Sequence, residues 1–238
     1  MLNRDTLVKI KEIALKIDND IAFGGKSKGN KHLFRVVRVA KFLAQKMGAN
    51  SKIAMAGALL HDTALPSGND YNYLKNKEIV ILLLKPLRLS KDESDKIAEC
   101  VASHEGTTIP KSLEAKIVHD ADVLEKTGLL GIIRHTWKMT NSGKLNHERV
   151  NDQDIKRITN HMAWRNKKLQ TLLAKEIATY LAIPLNKQKT KTIITMTADM
   201  AFDSIVTEKI AVALRKRLNK KENEKLKEQL NLGYLRKF

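Results

Sequence analysis

Six residues of the sequence carry side chains that commonly bind metal ions, and they fall at predicted buried or helix-end positions. Imidazole nitrogen and carboxylate oxygen suit Mn, Fe, Co, Ni or Zn, with Mg a further candidate. Helical proteins build such sites by projecting these groups from facing helices to one interior point. The sequence therefore predicts a divalent-metal site from these candidates: His32, His61, Asp62, His104, Asp120 and Asp122.

The pair His61-Asp62 follows "AGALL", a run that fits the centre of a helical core. Both side chains are costly to bury without a partner. Taken alone, each candidate has another explanation, such as a hydrogen-bonded core histidine or a solvated carboxylate near a helix start. Because four separate predicted helices each contribute such a group, a shared site accounts for all of them together.

The elements that position these groups are predicted to be helices throughout. Apolar residues recur at helical spacing in almost every segment. The segment "KIAMAGALLHD" is apolar on nearly every side, which predicts a central helix. Capping residues punctuate the pattern: Gly48, Ser51 and the capping-box pair Ser90 and Glu93. The predicted fold class is all-α.

Composition supports a helical protein in a reducing compartment. The 238 residues are 42% apolar and include only 4 prolines and 11 glycines, which disfavours a strand-rich sandwich. A single cysteine, Cys100, excludes an internal disulfide. The N-terminus mixes charges with apolar residues, unlike a signal peptide, and no apolar run is long enough to cross a bilayer. We expect a cytoplasmic protein without a membrane span.

The formal net charge of +18 predicts attraction for anionic partners such as nucleotides, RNA or membrane surfaces. The segment Arg215–Phe238 alone has 9 basic and 3 acidic residues. Aromatic residues make up only 5% of the chain, so stacking on nucleobases is poorly supported and nucleic acid is not the favoured partner. The alternative is that the lysines simply solvate the helices.

The ordered set His32, His61-Asp62 and a distal aspartate in "AKIVHDADVLEKTGLLGIIRHT" resembles the HD-domain metal-dependent phosphohydrolases. It is most similar to the small stand-alone bacterial members, which carry a stretch like Ser112–Arg134 here. The resemblance spans roughly residues 28–180. It implies an all-helical, HD-domain-like bundle that hydrolyses a phosphate mono- or diester, with a nucleotide as the favoured substrate.

The resemblance also implies a ligand set for one divalent metal: His32, His61, Asp62 and a distal aspartate. Residues two apart on a helix point about 200° apart, so Asp120 and Asp122 do not both face the metal. The family pattern "A-D-x-L" favours Asp122 as the ligand. Asp120 is then predicted to support the ligands from behind.

Catalytic and phosphate-binding roles follow from the same resemblance. Asp62 is a candidate for orienting or deprotonating a water molecule. His104 is a candidate general acid, phosphate-binding group or ligand of a second metal. Nearby cations are candidates for binding phosphate, although each is also compatible with a solvated surface role: Arg35, Lys116 and Arg134.

The sequence departs from related patterns just after the His-Asp pair. Alarmone hydrolases place a Glu-Asp pair there, and 5'-deoxynucleotidases a glutamate where this chain has Leu65, whereas the next acid here is Asp70. The "GYP" element of cyclic-dinucleotide phosphodiesterases is also missing. Two alternatives to an enzyme therefore stay open: a non-catalytic module that senses a metal or nucleotide or binds RNA, and a helical adaptor with structural histidines.

Two domains are predicted. Residues 1–183 form the HD-type phosphohydrolase domain, and residues 184–238 form a basic helical C-terminal extension. The amphipathic period of the extension predicts that it packs on the domain or on a partner subunit of a homo-oligomer.

Overall fold

The computed structural model describes residues 2–238, and within that range it contains twelve α-helices and no β-strand. The predicted all-α fold class is confirmed. The helices are α1 Arg4–Lys16, α2 His32–Met47, α3 Ser51–Leu60, α4 Tyr73–Leu84, α5 Lys91–Ala102, α6 Leu113–Glu125, α7 Gly128–Asn141, α8 Asp152–Lys167, α9 Leu172–Leu181, α10 Lys187–Phe202, α11 Thr207–Leu214 and α12 Lys220–Asn231.

The chain divides into two compact units. The first contains the residues up to Asp122 together with Leu169–Ala174, and the second contains Val123–Lys168 and Lys175–Phe238. The structure therefore does not divide at residue 184, because the helices after that point pack against α7. The proposed extent of the phosphohydrolase domain, 1–183, stays a prediction.

Helix α3 is the centre of the first unit, as its apolar sequence predicted. It packs against α1, α2 and α5. Seven of its ten residues are buried, from Ile53 to Leu60. Since α3 leads directly into His61 and Asp62, the packing of this helix fixes where the two polar side chains lie.

Local sequence signals explain several helix ends. The capping box of Ser90 and Glu93 is confirmed at the start of α5, and Gly48 ends α2 with a left-handed φ of 69°. The predicted cap at Ser51 is wrong by one residue. Asn50 caps α3 instead, because its side-chain oxygen accepts from backbone N–H groups two and three residues later, at 3.1 and 3.3 Å.

The second unit is built around α7, which packs against α8, α10, α11 and α12. The side chain of Gln229 on α12 accepts a hydrogen bond from Leu130 N and donates one to Thr127 O. The indole N–H of Trp137 donates to Ile205 O at 3.0 Å. Polar side chains thus tie the C-terminal helices to the start and the middle of α7.

Across residues 2–238, no helix combines the length and the apolar character that crossing a membrane requires.

The contact of α3 with α5 depends on Gly57. A Cβ atom placed there would lie 2.5 Å from Cys100 Cβ and 3.2 Å from Val118 Cγ2. We therefore expect Gly57→Ala to lower the free energy of unfolding by about 1–3 kcal/mol through overpacking. Urea denaturation followed by circular dichroism measures the change.

A Cys100→Gly background provides the control for this prediction, because it removes the nearest obstructing Cβ atom. The cost of Gly57→Ala should be smaller in that background. An equal cost in both backgrounds would show that the approach to Cys100 does not limit the packing of α3.

Candidate metal centre

His32 reaches the site from the first turn of α2. It is the first residue of that helix, and its ring is buried. Its Nε2 atom lies 3.1 Å from Nε2 of His61, and the two rings meet edge to face with centroids 5.1 Å apart. Two imidazole nitrogens from different helices therefore point at one place.

His61 is oriented by its own backbone. It directly follows α3 and is completely buried. Its Nδ1–H donates to the carbonyl oxygen of Ala58 at 2.8 Å, which leaves Nε2 directed at the neighbouring side chains. A histidine ligand commonly uses its second nitrogen in this way to fix the orientation of the ring.

Two carboxylates complete the group. Asp62 Oδ2 lies 3.1 Å from His61 Nε2 and 3.7 Å from His32 Nε2. Asp122 Oδ1, on α6, lies 3.4 Å from His32 Nε2 and 3.7 Å from His61 Nε2. The structure thus brings together the four predicted ligands, and two imidazoles with two carboxylates suit a divalent transition metal.

The electrostatics of His61 show how strongly this place attracts positive charge. Burial lowers the pKa of His61, but the carboxylates of Asp62 and Asp122 raise it more, so that the pKa rises from 6.5 to about 9. A proton on Nε2 serves as the positive charge here, and a divalent cation that replaced this proton would take the same role.

Asp120 faces away from the histidines, as the helical spacing predicted. Its carboxylate accepts hydrogen bonds from Gln170 N at 2.8 Å, from Thr171 N at 2.9 Å and from Thr171 Oγ1 at 2.7 Å. It is completely buried. Asp120 therefore holds the segment before α9 against α6, the helix that carries Asp122.

His104 lies on the other side of His61. The centroids of the two rings are 5.2 Å apart, and Nε2 of His104 is 3.8 Å from Asp62 Oδ1. Two more buried carboxylates approach the same nitrogen: Asp70 at 3.7 Å and Glu105 at 3.6 Å. Sequence reasoning named Asp70 as the next acid but missed Glu105.

The only sequence signal for Glu105 is its place directly after His104, a His-Glu pair that parallels His61-Asp62. His119 was also missed. It is buried on α6, and its Nδ1–H donates to the carbonyl oxygen of His104 at 2.7 Å. His119 therefore holds the backbone of the His-Glu pair in place.

The three predicted phosphate-binding residues lie at different places in the chain. Arg35 is buried on α2, one turn after His32 and on the same side of the helix. Lys116 is half-buried on α6, and Arg134 lies on α7 in the second unit. Their binding of phosphate stays a prediction.

Part of the chain is similar to a known protein family. Residues 30–127 match the family model of the HD domain. Ribonuclease Y of Finegoldia magna is 29% identical over 94 residues, which are 40% of this chain and 17% of ribonuclease Y. The match thus covers less than a fifth of the length of that relative.

Solved structures share the fold. A protein from Lactobacillus plantarum is 24% identical with a TM-score of 0.59, and the match covers 76% of this chain and 91% of that one. Lin1889 of Listeria innocua is 21% identical with a TM-score of 0.54, over 82% and 94% of the two chains. Bacillus subtilis YpgQ in complex with ADP is 22% identical with a TM-score of 0.53, over 74% and 88%.

The segment that matches the family model contains all the buried histidines and carboxylates that converge at the end of α3. Residues 30–127 therefore match the HD domain, a family whose members are in general metal-dependent phosphohydrolases.

Proposed function

We propose that this protein is a divalent-metal-dependent phosphohydrolase that cleaves a phosphate ester of a nucleotide. One observation carries the proposal: ligand atoms of His32, His61 and Asp122 lie within 4.8 Å of one another, and Asp62 Oδ2 lies 3.1 Å from His61 Nε2. The group fits a cation because two imidazole nitrogens and two carboxylates, carried by α2, the end of α3 and α6, point at one place.

A divalent cation held there would lower the pKa of water and polarise a phosphoryl group. The chain itself contributes orientation. Asp62 is partly accessible, with 23% of its side chain exposed, whereas His61 and Asp122 are completely buried. Asp62 is thus the ligand placed to contact an arriving substrate or water. Of the proposed phosphate-binding residues, Arg35 lies one turn of α2 after the ligand His32.

The choice of a nucleotide rests on charge and on one neighbour. The chain carries a net charge of +18, which attracts anionic substrates. The YpgQ structure that shares this fold contains ADP. A second candidate substrate is the phosphodiester backbone of RNA, favoured by the partial match to ribonuclease Y.

Product release from nucleotides tests this function. We expect phosphate or pyrophosphate to be released from at least one of a panel of nucleoside mono-, di- and triphosphates in the presence of Mn²⁺. His61→Ala and Asp62→Ala should abolish the release while circular dichroism shows an intact helical fold, because each removes a ligand. Colorimetric phosphate and pyrophosphate assays identify the bond that is cut.

Asp92→Ala is the matched control, since Asp92 is an exposed acid whose ion pair with Lys96 contributes little to the stability of the fold. Its activity should equal that of the wild type. Cleavage of single-stranded RNA with no nucleotide turnover would favour the second substrate. Tight nucleotide binding without any turnover would favour a sensing module and contradict the proposed enzyme.

The assignment of Asp122 and Asp120 has its own test. We expect Asp122→Asn to weaken Mn²⁺ binding by about 100-fold, because the ligand loses its charge. Asp120→Asn should retain Mn²⁺ but lower the free energy of unfolding by about 1–3 kcal/mol, since it weakens the bonds to Gln170 and Thr171. Isothermal titration calorimetry and urea denaturation measure the two effects. The opposite pattern would reverse the assignment.

The raised pKa of His61 predicts how Mn²⁺ affinity depends on pH. Below a pKa of about 9 the ring is protonated in the metal-free protein, so the cation must displace one proton. The apparent affinity should therefore rise by up to about tenfold per pH unit between pH 6.5 and pH 8.5. Titrations in buffers of different ionisation enthalpy report the released proton, and a pH-independent affinity would contradict the prediction.

The same pKa affects the metal-free protein. A raised pKa means that protonated His61 stabilises the fold fully below pH 6.5, and that this contribution is lost as the pH rises through about 9. Between pH 6.5 and pH 9, the metal-free protein should therefore lose more stability than a His61→Gln variant loses. Thermal melting at the two pH values, with a chelator present, measures the difference.

A further inference from the structure

A groove on the surface of the first unit lies between α1 and α2. Both helices pack on α3, whose side chains Met55 and Leu59 form part of the groove lining. The volume of the groove is about 500 Å³. None of the proposed metal ligands lines it, so its chemistry is separate from that of the candidate metal centre.

The sequences of α1 and α2 each turn one helix face towards the groove. On α1 the lining residues follow the spacing i, i+3, i+4 and i+7: Arg4, Leu7, Val8 and Lys11. On α2 the lining residues follow the start of the same spacing: Phe34, Val37 and Arg38. Val8 is 48% exposed and Phe34 is 39% exposed. Two large apolar side chains on the two helices therefore stay in contact with solvent.

Positive charge without a matching acid borders the same groove. Arg4, Lys11 and Arg38 are exposed, and within residues 2–238 none of the three forms an ion pair. The amino group of Lys11 lies 5.5 Å from the centroid of the Phe34 ring, so a cation of α1 lies against an apolar side chain of α2. No acid of the described chain lines the groove. The groove therefore offers an apolar surface together with positive charge that no carboxylate neutralises.

The dimensions of the groove favour a small molecule over a protein partner. Sites for small ligands usually have volumes of about 300–1,000 Å³. A stable protein interface uses about 20–30 residues on each side, whereas nine residues line this groove. A second copy of the chain is also disfavoured, because a symmetric contact would place the same three cations opposite one another.

We propose that this groove binds a small amphipathic anion of the long-chain carboxylate class. The apolar chain of the ligand lies against Leu7, Met55 and Leu59, because removing apolar surface from water is favourable. Its carboxylate contacts Lys11 and Arg38, whose charges no carboxylate of the protein neutralises. The inference goes beyond the proposed function and does not depend on it, since no proposed metal ligand takes part.

Displacement of a fluorescent probe tests the proposal. The full chain is titrated with anilinonaphthalene sulfonate, an amphipathic anion whose fluorescence rises at apolar sites, and dodecanoate is then added below its micelle concentration. A chelator is present, so that dodecanoate does not bind through a metal ion. We expect saturable displacement by dodecanoate and none by dodecyltrimethylammonium, which joins the same apolar chain to a positive charge.

Two charge reversals on α1 make the test specific to the groove. Lys11→Glu should weaken dodecanoate binding by about tenfold, because it removes a charge-assisted contact and adds repulsion. Lys9→Glu changes the net charge by the same amount, but Lys9 is exposed and does not line the groove. This control should therefore bind dodecanoate like the wild type. Arg38→Glu, on α2, carries the same test if Lys11→Glu fails to fold.

The remaining outcomes would overturn the proposal. Equal affinity in the wild type, Lys11→Glu and Lys9→Glu would show that dodecanoate does not use the groove. Equal displacement by dodecyltrimethylammonium would show that the positive border has no role. The same conclusion follows if dodecanoate gives no saturable displacement, and a wild-type dimer that separates in Val8→Glu would then identify a second copy as the occupant. Since the titrations contain no free metal, none of these results bears on the proposed hydrolysis.

Discussion

The burial of ionisable groups at the end of α3 is the constraint on which this structure depends. Removing a single charge from water costs several kcal/mol unless a partner compensates it. Here seven such groups form two clusters, and Asp62 lies between His61 of one and His104 of the other. The backbone fixes His61 and His104 through Nδ1, so that their Nε2 atoms face carboxylates rather than solvent. The apolar packing of α3 supplies the free energy that holds these groups together.

Much of this arrangement follows from the sequence because it depends on short-range geometry. The apolar sequence of α3 predicted a central helix, and the His61-Asp62 pair that follows it was therefore predicted to lie in the interior. The separation of Asp120 from Asp122 needed only the angular step of an α-helix. The structure places Asp122 against the histidines and Asp120 against Gln170 and Thr171, so one turn of α6 serves two purposes.

The parts that escaped prediction depend on tertiary contacts. Nothing within the sequence around Asp70 shows that a turn at Gly68 returns this residue to the end of α3. Glu105 looks like one more charged residue near a helix end until its burial is known. The compact units were also unpredictable, because the packing of α7 with α10 to α12 joins segments far apart in the sequence. Asn50 and Ser51 are both good caps, and the hydrogen bond that Asn50 N donates to Glu114 on α6 cannot be seen from the local sequence.

The distribution of charge gives the large positive balance of the chain a physical meaning under the proposed function. Four of the acids in the first unit are buried around the site, so they are withdrawn from the surface: Asp70, Glu105, Asp120 and Asp122. Lysines that solvate the helices then dominate what an approaching ligand meets. An anionic substrate is attracted by the surface over a distance of about 10 Å at moderate salt. The buried carboxylates by themselves would repel the same substrate at the end of its path. Under the proposed function, a cation at the site therefore has two effects. It offsets the repulsion among the buried carboxylates, and it offsets their repulsion of a phosphate.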